Sequence, residues 1–182
     1  MIFTFKVLNK EVIVYLAFGK VGNLEKALNT IGQVMKNLWF QIIKFKEIYS
    51  LNHLLHSIII ATEKFLQKQS ISRNLHVELL LPLAGTRQIG EAISKLSPEK
   101  GELVVLVFVG IGVNINYLSR VAENLMNDIS FIKEEQLKFI NKECLLCKKV
   151  SEKMLNATLG RSIHERLEKN VLMLSALTYM KM

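Results

Sequence analysis

Apolar residues along the chain follow two periods, one typical of strands and one typical of helices. The segments from Val12 to Phe18 and from Leu103 to Val109 are short, almost continuously apolar and rich in β-branched side chains, as buried strands are. Asn9-Lys10 separates the first of these from a similar segment before it, which predicts a β-hairpin. The predicted strands cover residues 2–8, 12–18, 39–45, 76–83, 103–109 and 129–132.

Other segments have apolar residues three and four positions apart, the spacing of one face of a helix. The clearest runs from Leu51 to Gln67, and Ser50 directly before it is a good N-cap. Asn23 and Asn114 stand at the same position before two further periodic segments. The predicted helices cover residues 24–37, 51–67, 85–96, 115–127 and 162–179, with a short helical turn over residues 71–75.

Strands followed by helices predict an α/β (mixed α+β) fold. We expect a mixed sheet of about 4–6 strands flanked by helices, and a largely helical C-terminal end from Glu134 that is broken near Gly160. The chain has 182 residues and only two prolines, which favours a single domain over residues 1–182. Pro82 lies inside the predicted strand 76–83 and indicates an edge position or the end of that strand.

The excess of basic over acidic residues indicates an anionic partner but does not say which kind. Twenty-four Lys and Arg oppose sixteen Asp and Glu, a net charge of +8. Such a chain favours nucleic acid, phosphorylated ligands, an acidic protein face or a membrane surface. A basic surface that is merely solvated explains the same numbers equally well.

No segment predicts secretion or insertion into a membrane. The N-terminus lacks the basic start and apolar core of a signal peptide. The longest apolar run, Leu103 to Val113, has 11 residues, whereas a spanning helix needs about 20. We therefore expect a cytoplasmic protein with no membrane partner.

Two cysteines and two histidines are candidate metal ligands. Cys144 and Cys147 have CxxC spacing, but no second pair completes a zinc site, so we expect buried structural thiols on a Lys-rich helix. His53 and His56 lie three residues apart on one helix, without a third ligand nearby in sequence. These patterns predict no metal site.

Catalytic motifs are equally sparse. Gly110-Ile-Gly112 follows a predicted strand but lacks the third glycine of a dinucleotide-binding loop. No phosphate-binding loop, GxSxG turn or paired carboxylates stand out. We expect no enzyme activity, no cofactor and no small-molecule substrate; a ligand bound by the loops within residues 85–115 is the enzymatic alternative.

Basic residues gather at two places in the central region. Lys64, Lys68 and Arg73 lie at the end of the helix 51–67 and just beyond it. Arg87, flanked by Thr86 and Gln88, starts the next predicted helix, where free backbone N–H groups suit a phosphate oxygen. A solvated face with an N-terminal cap is the alternative interpretation.

The last predicted helix is apolar nearly all round between Val171 and Leu177. A terminal helix of this kind is either buried or presents an apolar stripe to a partner. The pattern leaves both interpretations open.

Three segments of the central region resemble a known family. They are residues 53–65 (HLLHSIIIATEKF), residues 71–81 (ISRNLHVELLL) and residues 85–93 (GTRQIGEAI). Together with the predicted strand 103–109 they resemble the KEOPS subunit family that includes the PRPK-binding protein. The resemblance extends over roughly residues 45–112.

This resemblance implies a non-catalytic accessory subunit of the KEOPS complex, which makes threonylcarbamoyladenosine in tRNA. Such a subunit binds the small atypical kinase/ATPase of the complex and helps to recruit tRNA through its 3′ CCA end. A protein-interaction module that regulates a kinase partner without binding nucleic acid is the alternative. The implied RNA-binding residues are Lys64, Ile71, Arg73, Thr86, Arg87 and Gln88, with Ile71 against a base, and the implied partner-binding residues are Val171, Leu174 and Thr178.

Overall fold

The computed structural model describes residues 1–134 and 140–180. The chain forms two compact units, each assembled from separate segments of sequence. We call Met1–Phe45, Asn74–Val77 and Ser97–Leu137 the sheet unit, and Lys46–Arg73, Glu78–Leu96 and Lys138–Met182 the helical unit. The single domain expected from the length of the chain stays a prediction.

A six-stranded sheet forms the sheet unit within the described residues. Its order is β1-β2-β5-β4-β3, and β6 pairs with the end of β2. The α+β class and the number of strands are confirmed, and each pairing between described strands is antiparallel, which is more specific than the mixed sheet we expected. The strands are β1 (Ile2–Val7), β2 (Lys10–Val21), β3 (Gly32–Met35), β4 (Leu38–Lys44), β5 (Leu103–Ile111) and β6 (Phe131–Lys133).

The predicted hairpin at the N-terminus is confirmed, with its turn one residue earlier than expected. Val7 pairs with Lys10, so Leu8 and Asn9 form the turn. Both have positive φ, 48° and 62°, as a two-residue type I′ turn requires. This turn geometry sets the register of β1 against β2.

One core of the sheet unit lies between the sheet and two helices, α1 (Leu24–Thr30) and α6 (Ile115–Asp128). Phe108 of β5 is central to it: its ring stacks on Phe40 at 4.7 Å between centroids and meets Tyr15 edge-on at 5.9 Å. Aromatic pairs of this kind add to the burial of apolar area. The core therefore rests on the three strands β2, β4 and β5.

The helix predicted over residues 24–37 is wrong in its second half. Asn23 caps α1 as expected, but the helix ends at Thr30. Gly32–Met35 instead forms β3 and pairs with β4 through a turn in which Asn37 has a φ of +61°. A short isolated helix has little stability of its own, so pairing with an adjacent apolar strand prevails.

The helical unit contains the amphipathic helix α2 (Leu51–Leu66), whose predicted N-cap is confirmed: the Ser50 hydroxyl accepts from the His53 N–H at 3.1 Å. The C-terminal helix α8 packs against it, and the hydroxyls of Ser57 and Ser175 lie 3.1 Å apart across their contact. The remaining helices are α4 (Leu80–Ala84), α5 (Ile89–Leu96), α7 (Glu152–Ala157) and α8 (Ile163–Leu177), and α3 (Leu75–Glu78) precedes α4.

The strand predicted over residues 76–83 is wrong, because these residues form α3 and α4. Pro82 lies in the first turn of α4, where its missing N–H would have had no carbonyl partner. The segment is so continuously apolar that its spacing favours neither a strand nor a helix, so the sequence alone does not decide between them. Two neighbouring predictions also change. The short helix α3 begins at Leu75 and does not include Ile71, and α5 begins at Ile89 rather than at residues 85–86.

Among the described C-terminal residues, helix covers less of the chain than expected, and residues 135–139 of that region lie outside the described residues. Residues 141–150 form turns and a short 3-10 helix, Cys147–Lys149, instead of a Lys-rich α-helix. Cys144 and Cys147 are buried there, as predicted. They form a second core with Tyr49, Leu146 and Val171. Among the described residues, no helix is both long enough and apolar enough to cross a bilayer.

Candidate functional site

The positive charge of the protein belongs almost entirely to the helical unit. By sequence, this unit has fifteen Lys and Arg against eight Asp and Glu, a net charge of +7. The sheet unit has nine against eight, a net charge of +1. An anionic partner is therefore expected on the helical unit.

One candidate site there is an open pocket of about 700 Å³. The turn after α4 forms one side of it and the end of α8 forms another. We call it the Arg87 pocket. Its described lining residues are Gly85, Thr86, Arg87, Gln88, Lys149, Leu174, Leu177, Thr178 and Met180, none of which is acidic. Residues expected at two separate surfaces, one for RNA and one for a protein, thus meet in one place.

The turn of residues 85–88 has its shape because of Gly85. This residue ends α4 in the left-handed conformation, with a φ of 59°. A Cβ at this position would lie 2.3 Å from Leu146 Cδ2, so only glycine lets the two segments approach. Beyond it, the Thr86 hydroxyl donates to Glu91 Oε2 (2.6 Å) and accepts from the Gln88 N–H (3.2 Å). Thr86 therefore holds the turn as well as lining the pocket.

Two cations lie at the pocket, and both contact backbone carbonyls. Arg87 Nη1 donates to the Thr178 carbonyl at 3.4 Å. Lys149 Nζ donates to the carbonyls of Gly85 (2.9 Å) and Ala84 (3.2 Å). Burial lowers the pKa of Lys149, and Lys95 lowers it further while Glu91 opposes the shift. Among the residues that the structure describes, neither cation forms an ion pair with a carboxylate, so the pocket favours an anion.

A second open pocket, of about 640 Å³, follows the end of α2. It brings together Ile71 and Arg73, both predicted for RNA, with Lys68. Arg73 is exposed, so its guanidinium is accessible to a ligand. We call it the Arg73 pocket; its lining is Phe65, Leu66, Lys68, Ser70, Ile71, Ser72 and Arg73.

Lys64 lines neither of these two pockets. It lies instead beside Tyr179, which follows α8. Its ammonium stands 5.9 Å from the centre of the Tyr179 ring, a cation–π contact, and donates to Gln69 Oε1 at 3.3 Å. Since Arg87 contacts Thr178, both cations contact adjacent residues beyond α8. The structure therefore brings Lys64 and Arg87 to one place.

Glu78 is a residue that sequence reasoning missed. Its fully buried carboxylate accepts from the N–H groups of Ile71 (3.1 Å) and Ser72 (2.6 Å) and from the Tyr179 hydroxyl (2.6 Å). Burial and this bond to Glu78 raise the pKa of Tyr179. The only signal in the sequence was a glutamate inside an apolar segment, and the wrong strand prediction concealed its role.

The predicted partner-binding residues of α8 fall into two groups. Val171 is fully buried beside Tyr49 and Leu146, so the expectation that it faces a partner is wrong. Leu174 and Thr178 line the Arg87 pocket. The exposed apolar residues near the end of α8 lie three or four positions apart, and two of them, Leu177 and Met180, also line the Arg87 pocket. We call these the α8 stripe: Met173, Ala176, Leu177 and, just past the helix, Met180.

His53 and the Gly110-Gly112 turn are built into the fold. His53 is fully buried, and its Nδ1 accepts from the Tyr49 N–H at 3.2 Å. Burial, with a smaller contribution from His56, lowers the pKa of His53 to about 3. Gly110 lies within β5, where a Cβ would lie 2.2 Å from Val113 Cγ2. Close packing thus explains both features.

Comparison with known proteins identifies the family of this chain. A comparison with curated proteins finds no match. The sequence profile described as "Kinase binding protein CGI-121" matches residues 18–151, which is 134 of the 182 residues. The match confirms the resemblance found between residues 53 and 93, and it includes the turn at Arg87 and both buried cysteines. The chain therefore belongs to the Kinase binding protein CGI-121 family.

Proposed function

We propose that this protein is a non-catalytic accessory subunit of the KEOPS tRNA-modification complex. It binds the small atypical kinase/ATPase of that complex through the α8 stripe, and it holds the 3′ CCA end of a tRNA at the Arg87 pocket. The observation on which the proposal depends is the meeting of Arg87, Lys149 and an apolar wall in one pocket of a kinase-binding family member.

The chemistry of the Arg87 pocket suits a single-stranded RNA end. Such an end presents phosphates together with unstacked bases, which proteins bind with cations and with flat or apolar side chains. Arg87 and Lys149 supply charge for phosphate oxygens. Leu174, which is not part of the α8 stripe, supplies an apolar surface for a base.

The neighbouring cations of the helical unit extend this surface. In the Arg73 pocket, Lys68 and Arg73 are available to a further phosphate, and Ile71 offers an apolar contact to a base. Lys64 and Arg87 contact the consecutive residues Tyr179 and Thr178, so both serve one stretch of RNA. Thr86 and Gln88, which flank Arg87 in the turn of residues 85–88, add polar groups to the Arg87 pocket.

The α8 stripe suits a protein partner. Met173 and Met180 are about half exposed, and Leu177 is more than a third exposed. Methionine adapts its shape to a partner surface, and a contiguous exposed apolar stripe marks a contact site. Val171 lies underneath and holds the helix in place. The kinase partner therefore binds the exposed side of α8.

The RNA part is tested by measuring the affinity for tRNA with and without its terminal CCA. We expect removal of CCA to weaken binding, and Arg87→Ala to weaken binding of intact tRNA about tenfold because one phosphate contact is lost. The plot of log affinity against log salt concentration should become shallower, its slope decreasing in magnitude by about 0.7. Lys36→Ala, an exposed lysine of the sheet unit, is the matched control and should change neither quantity.

Equal affinity for intact and trimmed tRNA, together with no effect of Arg87→Ala, would contradict the RNA part. The second candidate function, a kinase-regulating module that does not bind RNA, would then stand. The observation that favours it is that Arg87 and Lys149 already donate to backbone carbonyls within the fold.

The kinase part is tested by titrating the purified partner kinase against variants of the stripe. A charge placed at the centre of an apolar contact is costly to bury, so Met173→Asp should weaken binding at least tenfold. Met35→Asp, at a similarly exposed methionine of the sheet unit, should bind as wild type does. If the two variants bind equally well, the kinase does not use the α8 stripe.

A further inference from the structure

One buried carboxylate joins the two regions that the proposed function assigns to different ligands. Glu78 Oε1 accepts from the Ile71 N–H and from the Tyr179 hydroxyl, and Glu78 Oε2 accepts from the Ser72 N–H. Ionised groups are costly to bury unless their oxygens accept hydrogen bonds, so each donor matters to the stability of this arrangement. Residues 71 and 72 belong to the Arg73 pocket, whereas Tyr179 follows α8.

Tyr179 occupies a central position among these contacts. Its hydroxyl reaches Glu78, and its ring lies beneath the Lys64 ammonium. The residue before it, Thr178, accepts from Arg87 through its carbonyl. Its neighbours Leu177 and Met180 belong to the α8 stripe. A partner that holds the end of α8 therefore also sets the position of a residue linked to the basic loop.

We infer that Tyr179 and Glu78 couple the two partners, so that kinase bound on the α8 stripe strengthens the binding of RNA at the Arg73 pocket. This inference rests on the proposed function. The kinase holds Leu177 and Met180, which keeps the Tyr179 hydroxyl on Glu78. Glu78 in turn keeps the N–H groups of Ile71 and Ser72 in place, so RNA meets a loop that is already ordered. Because coupling between binding sites is reciprocal, RNA strengthens kinase binding by the same factor.

Tyr179 is thus a positioning residue, and Tyr179→Phe is the variant that tests it. The substitution keeps the ring beneath Lys64 and removes only the hydroxyl that reaches Glu78. Tyr117→Phe, which removes the hydroxyl of an exposed tyrosine in α6 of the sheet unit, is the matched control.

The first measurement is hydrogen exchange of single amides in the free protein. We expect the N–H groups of Ile71 and Ser72 to exchange about fivefold faster in Tyr179→Phe than in wild type, because Glu78 loses one of the donors that hold it. The amide of Ala61, in the middle of α2, should exchange at the wild-type rate, which shows that the fold is intact. Tyr117→Phe should leave all three amides unchanged.

The second measurement is the affinity for tRNA with and without saturating kinase. In wild type and in Tyr117→Phe, kinase should raise the affinity about fivefold or more, a typical size for coupling between sites. In Tyr179→Phe the increase should fall below about twofold, while kinase still binds with wild-type affinity in the absence of RNA.

Three results would overturn the inference. The first is unchanged exchange at Ile71 and Ser72 in Tyr179→Phe. The second is wild-type protein that binds both ligands but whose affinity for tRNA does not rise when kinase is added. The third is a rise in tRNA affinity that is as large in Tyr179→Phe as in wild type. Wild-type protein that binds no tRNA at all would instead refute the RNA part of the proposed function, so the two failures are distinguishable.

Discussion

The sheet unit and the helical unit of this protein differ in what they bury. Within the described residues, nine of the eleven buried polar or charged side chains belong to the helical unit, among them His53, Glu78 and Asn170. The sheet unit buries mainly aromatic and aliphatic side chains of its central strands and is nearly neutral by sequence. The helical unit has a net charge of +7 and contains both basic pockets.

This difference indicates a division of roles. An apolar core between a sheet and two helices resists change, since removal of a side chain from a central strand leaves a cavity that cannot easily collapse. The helical unit is held in part by hydrogen bonds to the buried carboxylate of Glu78 and to buried hydroxyls, so the positions of its loops depend on single donors and acceptors. Three experiments test this difference between the units, beginning with the one for which we expect the largest effect.

Two fully buried leucines provide the most direct test, one from each unit. Leu106 of β5 pairs with Ala17 and Ile42 on its two sides, whereas Leu146 lies in the irregular segment 141–150. We expect Leu106→Ala to lower the free energy of unfolding by about 4–5 kcal/mol and Leu146→Ala by about 2–3 kcal/mol, because a loop collapses into the cavity more easily than a central strand. Denaturant unfolding measures both.

The control for the leucine pair is Leu159→Ala, at a leucine that is 88% exposed, which should cost less than about 0.5 kcal/mol. Equal losses for Leu106→Ala and Leu146→Ala would mean that the two units are equally rigid. That result would contradict the division of roles between them.

Two glycines of the helical unit provide the second test. Gly85 has a positive φ, and a Cβ there would collide with Leu146, so Gly85→Ala should cost about 2–3 kcal/mol and disturb the Arg87 pocket. Gly90 lies in α5, where an added Cβ would meet no neighbouring atom within 4 Å, so Gly90→Ala should stabilise the protein by up to about 1 kcal/mol. Thermal unfolding with added tRNA separates stability from binding. A neutral Gly85→Ala would show that the turn tolerates a side chain.

The pH dependence of stability is the third test. The pKa of His53 is lowered to about 3 in the folded protein, so below about pH 6.5 the unfolded chain binds a proton that the folded protein does not. Stability therefore falls as the pH falls, and His53 alone should account for about 2 kcal/mol between pH 7.5 and pH 5.0. His53→Asn keeps an acceptor for the Tyr49 N–H and should remove that part of the loss.

Unfolding free energies of wild type and His53→Asn at the two pH values give the comparison. Burial also lowers the pKa values of His56 and His76, so some loss remains in the variant. His164→Asn, at an exposed histidine, should retain the full wild-type loss. An unchanged pH dependence in His53→Asn would mean that another group causes it.

Much of the fold could be predicted wherever the apolar residues clearly followed the spacing of a strand or of a helix. The strands over residues 12–18 and 103–109 and the helix starting after Ser50 are confirmed, because their apolar spacing and caps are local properties. The second half of the helix predicted over residues 24–37 and the strand predicted over residues 76–83 are wrong. In both segments the local preference was weak, and pairing or packing with distant residues decided the outcome.

The candidate site could be predicted only as a set of residues. The basic positions Arg73 and Arg87 and the apolar last helix followed from residue types and from the family resemblance, and family membership is confirmed. Their grouping was not foreseen: Arg87 shares a pocket with Leu174 and Thr178, and Val171 lies in a core. No spacing along the chain indicates which side of an all-apolar helix is covered.

Residue order alone was enough to establish the net charge, the strongest strands, the amphipathic α2 and the family. These depend on composition and on neighbours within a few turns of chain. Three-dimensional packing was needed to establish that Glu78 links Ser72 to Tyr179, residues more than a hundred positions apart, and that Gly85 must lack a side chain beside Leu146. Such contacts form between segments whose separation in sequence is unrelated to their distance in space, so no local pattern contains them.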